Sequence, residues 1–246
     1  IDYGNGFVDM GTSALLSVPY ALQAGNSAFT FYSNSWNPGS PPGSGIQSPS
    51  NTASGIRSTA MGWYTRSSGS YSTSMGSFTQ ARGNYSTAIG NNSIADGFHS
   101  TAIGYNSIAN ASYSTAIGWD VRANSPYSFA IGKYNIGGGD TTSWISNDPI
   151  FEIGNGSPQN RSNAFTILKN GRTGINTATP EAGLDIHATG ALIQMENETT
   201  GHKWEFYSGG SVGNDGLGIY DRTAGSYRLV IDNGGRIGIG TVSPSL

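Results

Sequence analysis

The sequence predicts an all-β chain built around a parallel β-solenoid. Three observations carry this: a 14-residue repeat that holds its register through the middle of the chain, a composition suited to turns and small-residue strands, and hairpin signals in the last third. Of 246 residues 37 are Gly and 10 are Pro, about a fifth together, and only 11% are charged. An average soluble domain carries roughly 25% charged residues. So much Gly, Ser, Thr and Asn works against long amphipathic helices, which excludes an all-α fold and makes a doubly wound α/β enzyme improbable. With 36% hydrophobic and 11% aromatic residues, the chain has too much surface to bury to be disordered.

Residues 1–51 read as an N-terminal segment and connector, because Asn34 to Asn51 holds Pro38, Pro41, Pro42 and Pro49 among Gly and Ser. Residues 52–139 read as the roll. Its blocks begin at Ser58, Ser72, Ser86, Ser100, Ser114 and Ser128, typically as S-T-A-I-G. Gly62, Gly76, Gly90, Gly104, Gly118 and Gly132 are successive fifth positions, each preceded by Met or Ile, and the blocks close on Tyr71, Tyr85, His99, Tyr113 and Tyr127. Fourteen residues at about 3.3 Å each span roughly 46 Å, enough for two strands of about five residues and two tight turns but not for a helix and a strand. Each block is therefore one coil, with the fifth-position Gly suited to a turn at positive φ and Gly69, Gly83, Gly97 and Asn110 suited to the second turn.

Positions three and four of a block point to opposite faces of a strand, and both are apolar. A narrow coil has room for the small Ala and Ser column inside, which leaves Met61, Met75, Ile89, Ile103, Ile117 and Ile131 as a continuous outer stripe. Such a stripe is larger than soluble monomers usually expose, so parallel identical chains around a rotation axis are expected to cover it. Residues 140–164 read as a neck or connector. From 165 to 246 a longer repeat appears: Asn170 to Pro180 matches Gly234 to Pro244 at an offset of 64 residues, with Arg172 and Arg236 in register. Each copy follows a strand-like run, Phe165 to Lys169 or Tyr227 to Ile231, and an Asn-Gly turn, so both read as β-hairpins with matching Arg environments.

The blocks, S-T-A-I-G followed by N-S-I-A and a Gly or Asn, resemble the head repeats of YadA-type trimeric adhesins over residues 58–137. That resemblance implies a left-handed parallel β-roll, a homotrimer with the Ile and Met column near its threefold axis, and an adhesive surface. The G-R-x-G-I-x-T-x-x-P pattern of residues 165–246 resembles bacteriophage tail-fibre segments that precede a self-cleaving C-terminal chaperone domain, which implies processing of a longer precursor near Leu246. Gly11 to Leu22 is similar to a segment of secreted fibre-like proteins of the Bacteroidetes.

Chemistry is sparse. His99, His187 and His202 are too far apart for a metalloprotease motif, and His99 fills a slot that other blocks give to Tyr. Asp185, Glu196, Glu198 and Glu205 offer carboxylates, but their spacing singles out no glycosidase pair. No cofactor or metal site is expected. A net charge of −3 with 12 dispersed Lys and Arg gives no basic patch for nucleic acid, and no apolar run reaches the roughly 20 residues of a membrane span. The first basic residue is Arg57, so an exported chain has lost any targeting segment. The binding candidates are aromatic: Trp63, Tyr64, Phe78, Tyr105, Trp119 and Tyr134, at the sixth and seventh positions, should stack into an intermittent exposed column suited to sugar rings. A ladder that only shields coil edges is the competing reading. The expected function is a non-enzymatic, homotrimeric, extracellular attachment fibre, a receptor-binding tail fibre or surface adhesin that binds a cell-surface ligand, with a tailspike-like glycan-degrading enzyme as the alternative.

Overall fold

Small side chains decide the architecture. In a computed structural model, which describes residues 30–31, 45–47, 50–188, 191–209 and 216–244, every regular element is a β-strand. The Gly11 to Leu22 segment and most of the Pro-rich connector lie outside the described residues. Each coil contributes one long strand and one short strand, such as Thr101–Tyr105 and Ile108–Ala109. The long strands form most of a 12-stranded sheet and the short ones a 6-stranded sheet. Pairing is parallel and in register from coil to coil: Gly62, Gly76, Gly90, Gly104, Gly118 and Gly132 each sit beside their equivalent, and Ile89, Ile103 and Ile117 do the same. This is a solenoid, with successive coils stacked along one axis.

The two strands are unequal, which corrects the expectation of two five-residue strands. The long strand carries through the fifth-position Gly, where φ reaches 118° to 137° in the inner coils, and ends at position six. The corners fall instead on positions seven and fourteen, which adopt φ near +55° even where the residue is Tyr64, Phe78, Tyr85 or Tyr113. A left-handed non-Gly residue costs roughly 1–2 kcal/mol. Gly69, Gly83 and Gly97 also have a different role from the one expected, since a Cβ there would lie 1.9 to 2.0 Å from a backbone oxygen of the next coil. They are needed for close approach rather than for positive φ.

The core of the roll is built from Ala, with Val121 as its largest apolar member. Ala88, Ala102 and Ala116 are fully buried, and Ser74 takes the same place in its coil. Several buried hydroxyls bond carbonyls of the coils: Ser93 Oγ donates to Gly104 O at 2.9 Å, and Ser72 Oγ to Gly69 O at 2.6 Å. The ends are closed by Asn. Asn51 donates to Gly62 O and accepts from Thr65 N, and at the far end Asn135 accepts from Arg122 N and donates to Arg122 O, each bond 2.8 Å long.

Pro149–Asn155 lies within the stretch read as a connector, yet it pairs in parallel with Phe129–Lys133 and continues the sheet. Its Glu152 stands where the Ala column would continue and is buried, accepting from Asn163 Nδ2 at 2.6 Å and Asn135 Nδ2 at 2.7 Å. Burial pushes this carboxyl above its ordinary value of 4.5, against the lowering effect of those bonds. The folded chain therefore holds the proton more tightly than the unfolded chain. Its stabilising contribution is complete below the ordinary value and is lost as pH rises through the raised one. The stability of the native chain relative to Glu152→Gln should thus fall as pH is raised above 4.5. Denaturation midpoints that keep a constant or widening native advantage over this range would contradict it.

Asn163–Leu168 then turns back antiparallel, Thr173–Ile175 follows it, and Leu184–Ile186 completes the sheet. Four further antiparallel pairings build a separate 5-stranded sheet from Ala191–Asn197 to Ile237–Ile239. The hairpin bonds recur at the 64-residue offset: Leu168 N to Arg172 O is matched by Asp232 N to Arg236 O, and Asn176 N to Ala164 O by Gly240 N to Arg228 O. Gly174 and Gly238 also meet equivalent neighbours, Thr177 with Pro180 and Thr241 with Pro244. The Arg environments differ, however. Arg236 Nε donates to Asp232 Oδ2 at 2.7 Å, whereas Arg172 has Leu168 at the corresponding place and no carboxylate to reach there.

Candidate functional site

The rings proposed from sequence stand in two columns, not one. Strand register puts Trp63, Ser77, Asn91, Tyr105, Trp119 and Lys133 in line at position six. Tyr64, Phe78 and Tyr134 are corner residues at position seven, where Asn92, Asn106 and Asp120 fill the coils between them. The rings accordingly gather at the two ends of the roll. At one end Tyr64 stacks on Phe78 with centroids 5.5 Å apart, and Trp63 meets Tyr64 edge-on at 4.9 Å. At the other, Trp119 lies 5.9 Å from both Tyr105 and Tyr134, and the Arg161 guanidinium sits over Tyr134. Trp63 and Trp119 are 56% and 54% exposed on the single chain, and neither is in a parallel stack.

The middle coils replace rings by amides. Asn92 Nδ2 donates to Asn106 Oδ1 and Asn106 Nδ2 to Asp120 Oδ2, both at 2.7 Å, and Arg161 closes the row on Asp120. Repeated amides one coil apart form a ladder of the kind seen in cross-β stacks. Asn and Asp also bear left-handed backbone better than other non-Gly residues.

Sequence reasoning noted the aromatic slot at position fourteen without seeing its geometry. Tyr71, Tyr85, His99, Tyr113 and Tyr127 form an unbroken stack, with centroids 4.6 to 5.2 Å apart and planes within 4° of parallel. Phe98 packs edge-on against Tyr85, His99 and Tyr113. Every inner face of this ladder is taken by its neighbour, so it offers ring edges to solvent and no platform for a sugar. Stacking at about 0.5–1.5 kcal/mol per pair offsets the left-handed backbone each ring occupies. His99 fits here as a stacked ring.

Unbroken coil register, a small-residue core and a ring at position fourteen characterise the repeat. The coils match the YadA head domain repeat. The matched segments are residues 49–65, 67–93 and 95–120, under a third of the chain. This YadA-type match supports an adhesin-like role for the roll and begins before the first complete S-T-A-I-G block. Past residue 120 the coiling persists in Phe129–Lys133 and Pro149–Asn155. No curated protein matches the chain.

The acidic candidates are engaged elsewhere. Glu196 pairs with Lys203 at 3.3 Å, Asp185 with His187 at 3.3 Å, and Glu205 with Arg222 at 2.9 Å. Glu198 is exposed on the turn after Ala191–Asn197. Among the described residues no helix is long and apolar enough to cross a membrane.

Proposed function

We propose that this chain forms the head and stem of a homotrimeric, non-catalytic attachment fibre, displayed on a bacterial surface or a phage or phage-like tail, that binds a cell-surface glycan. The observation that carries the reading is the length of the apolar stripe. Beyond Ile131 the register brings Ile153, Phe165, Ile175 and Ile186 into the same line, so one apolar column runs from Met61 to Ile186 across both the roll and the hairpin segment. Beside it Phe129 stacks on Phe151 at 5.8 Å. Two further copies around a threefold axis cover such a column along its whole length, and the adhesin-like roll supplies the head of the fibre. The recurrence of one hairpin after 64 residues supports the tail-fibre likeness of the region from residue 165 onwards.

The exposed indoles of Trp63 and Trp119 supply stacking surfaces for sugar rings. Replacing both by Ala should weaken retention on surfaces coated with capsular glycan or lipopolysaccharide by about tenfold or more, at roughly 1.4 kcal/mol per decade, while the chain keeps its mass in light scattering. Unchanged retention would reduce the two rings to edge shielding, and new reducing ends in the glycan would favour the tailspike reading instead.

A further inference from the structure

We infer that the 5-stranded sheet carries a second ligand site, a recess for a neutral sugar residue built from Tyr207, Tyr220, Tyr227 and Arg222. Register places Glu205, Tyr220 and Tyr227 in one row across three strands, and Tyr207, two residues after Glu205, points to the same face. The rings do not stack in parallel. Tyr207 stands at 73° to both Tyr220 and Tyr227, at 5.8 and 5.9 Å, so the three line the walls of a half-open recess of about 380 Å³ with Arg222 at its side. That volume lies within the range of small-molecule sites.

Arg222 supplies the second observation. Glu205 is 1% exposed behind the recess, and its Oε1 accepts from Arg222 Nη1 at 2.9 Å, which fixes the guanidinium at the side of the three rings. Burial, and then the charge of Glu205 and the hydrogen bond between the two side chains, push the Tyr207 hydroxyl above its ordinary value, so it stays neutral and its oxygen can accept from a ligand.

Charge selects among ligands. The Arg222 guanidinium is already paired with Glu205 behind it, so neither a carboxylated sugar nor a quaternary ammonium finds a free counter-charge at the recess. A neutral pyranose sets its C–H face on a Tyr ring and accepts from the half-exposed guanidinium, with the Tyr hydroxyls as further partners. The opposite face of this sheet is apolar, with Ile193, Met195, Trp204 and Leu217 exposed. An assembly that buries that face leaves the recess open to solvent.

The test uses the full chain and saturation-transfer NMR with lactose, maltose and N-acetyllactosamine, with sialyllactose and choline as charged controls. At least one neutral disaccharide should bind saturably by about 10 mM, and Tyr220→Ala should weaken it about tenfold. The Trp63→Ala/Trp119→Ala chain should bind it as the native chain does. Should Tyr220→Ala disturb the sheet, read by circular dichroism, Tyr227→Ala and Arg222→Lys carry the same expectation. Absence of neutral-sugar binding, preference for a charged control, indifference to the recess variants, or loss of binding in the Trp variant would each overturn the assignment. The last result would place the sugar on the roll and leave the attachment reading standing.

Discussion

Gly104→Ala is expected to destabilise the roll by at least about 3 kcal/mol, the combined effect of positive φ and a collision that no side chain can relieve. Gly104 has φ +127°, and a Cβ on it would lie 2.0 Å from the carbonyl oxygen of Gly118 in the next coil. That oxygen belongs to a backbone held in register on both sides, so neither coil can yield without breaking its ladder. For a chain of this size the loss corresponds to a fall in Tm of roughly 6–12 °C. Gly138→Ala is the matched control, since its Cβ meets nothing within 4 Å. Thermal unfolding that leaves Gly104→Ala within a degree or two of Gly138→Ala would show that the coils are not packed as described.

This glycine column also shows what was legible in the sequence. An unbroken 14-residue register specifies stacked coils, because equivalent residues can stay equivalent only if each block repeats the same path. The small-inside, large-outside division followed from alternation and from the narrowness of the coil. The unequal strand lengths did not, because the position of a corner depends on which residues take positive φ, and Tyr at positions seven and fourteen does not announce left-handed backbone as Gly does. The candidate site was half legible for the same reason. Recurrence showed that rings line up, but whether they stack face to face, as in the Tyr and His ladder, or meet edge-on, as at Trp119, depends on the corner geometry.

Beyond the repeat, local pattern loses its hold. Glu152 occupies an Ala-column place with no sequence sign that a buried carboxylate belongs there, since its partners Asn135 and Asn163 come from different elements. Arg172 and Arg236 share a motif, but the residue four before each is Leu168 in one case and Asp232 in the other. A motif repeats a backbone, and its side-chain partners can still differ. The recess around Tyr220 was invisible for a related reason, because three tyrosines with no repeat between them meet only through strand pairing.

Ile103→Asp is expected to dissociate the assembly. Ile103 lies inside the apolar column, flanked by Ile89 and Ile117 in register, and on the isolated chain it is only half-buried. In a trimer that closes on this column, each substitution places three carboxylates together around the axis, away from water. Burying an unpaired charge costs several kcal/mol per group, and like charges close together add to it. The variant has one escape within the chain, to release its neighbours and hydrate the carboxylate. Coil pairing within one protomer does not require the column to be covered, because Ala102 and the Ser rows pack inward on the other face. Light scattering should therefore report a trimer for the native chain and a smaller species for Ile103→Asp, with β-content retained in circular dichroism. Asn84→Asp, at an exposed corner outside the long strands where its side-chain oxygen accepts from Ser70 N, adds the same charge away from the stripe and should stay trimeric. A native monomer that is fully folded would refute the covered column. An Ile103→Asp trimer as stable to dilution as the native one would show that the chains meet through another surface.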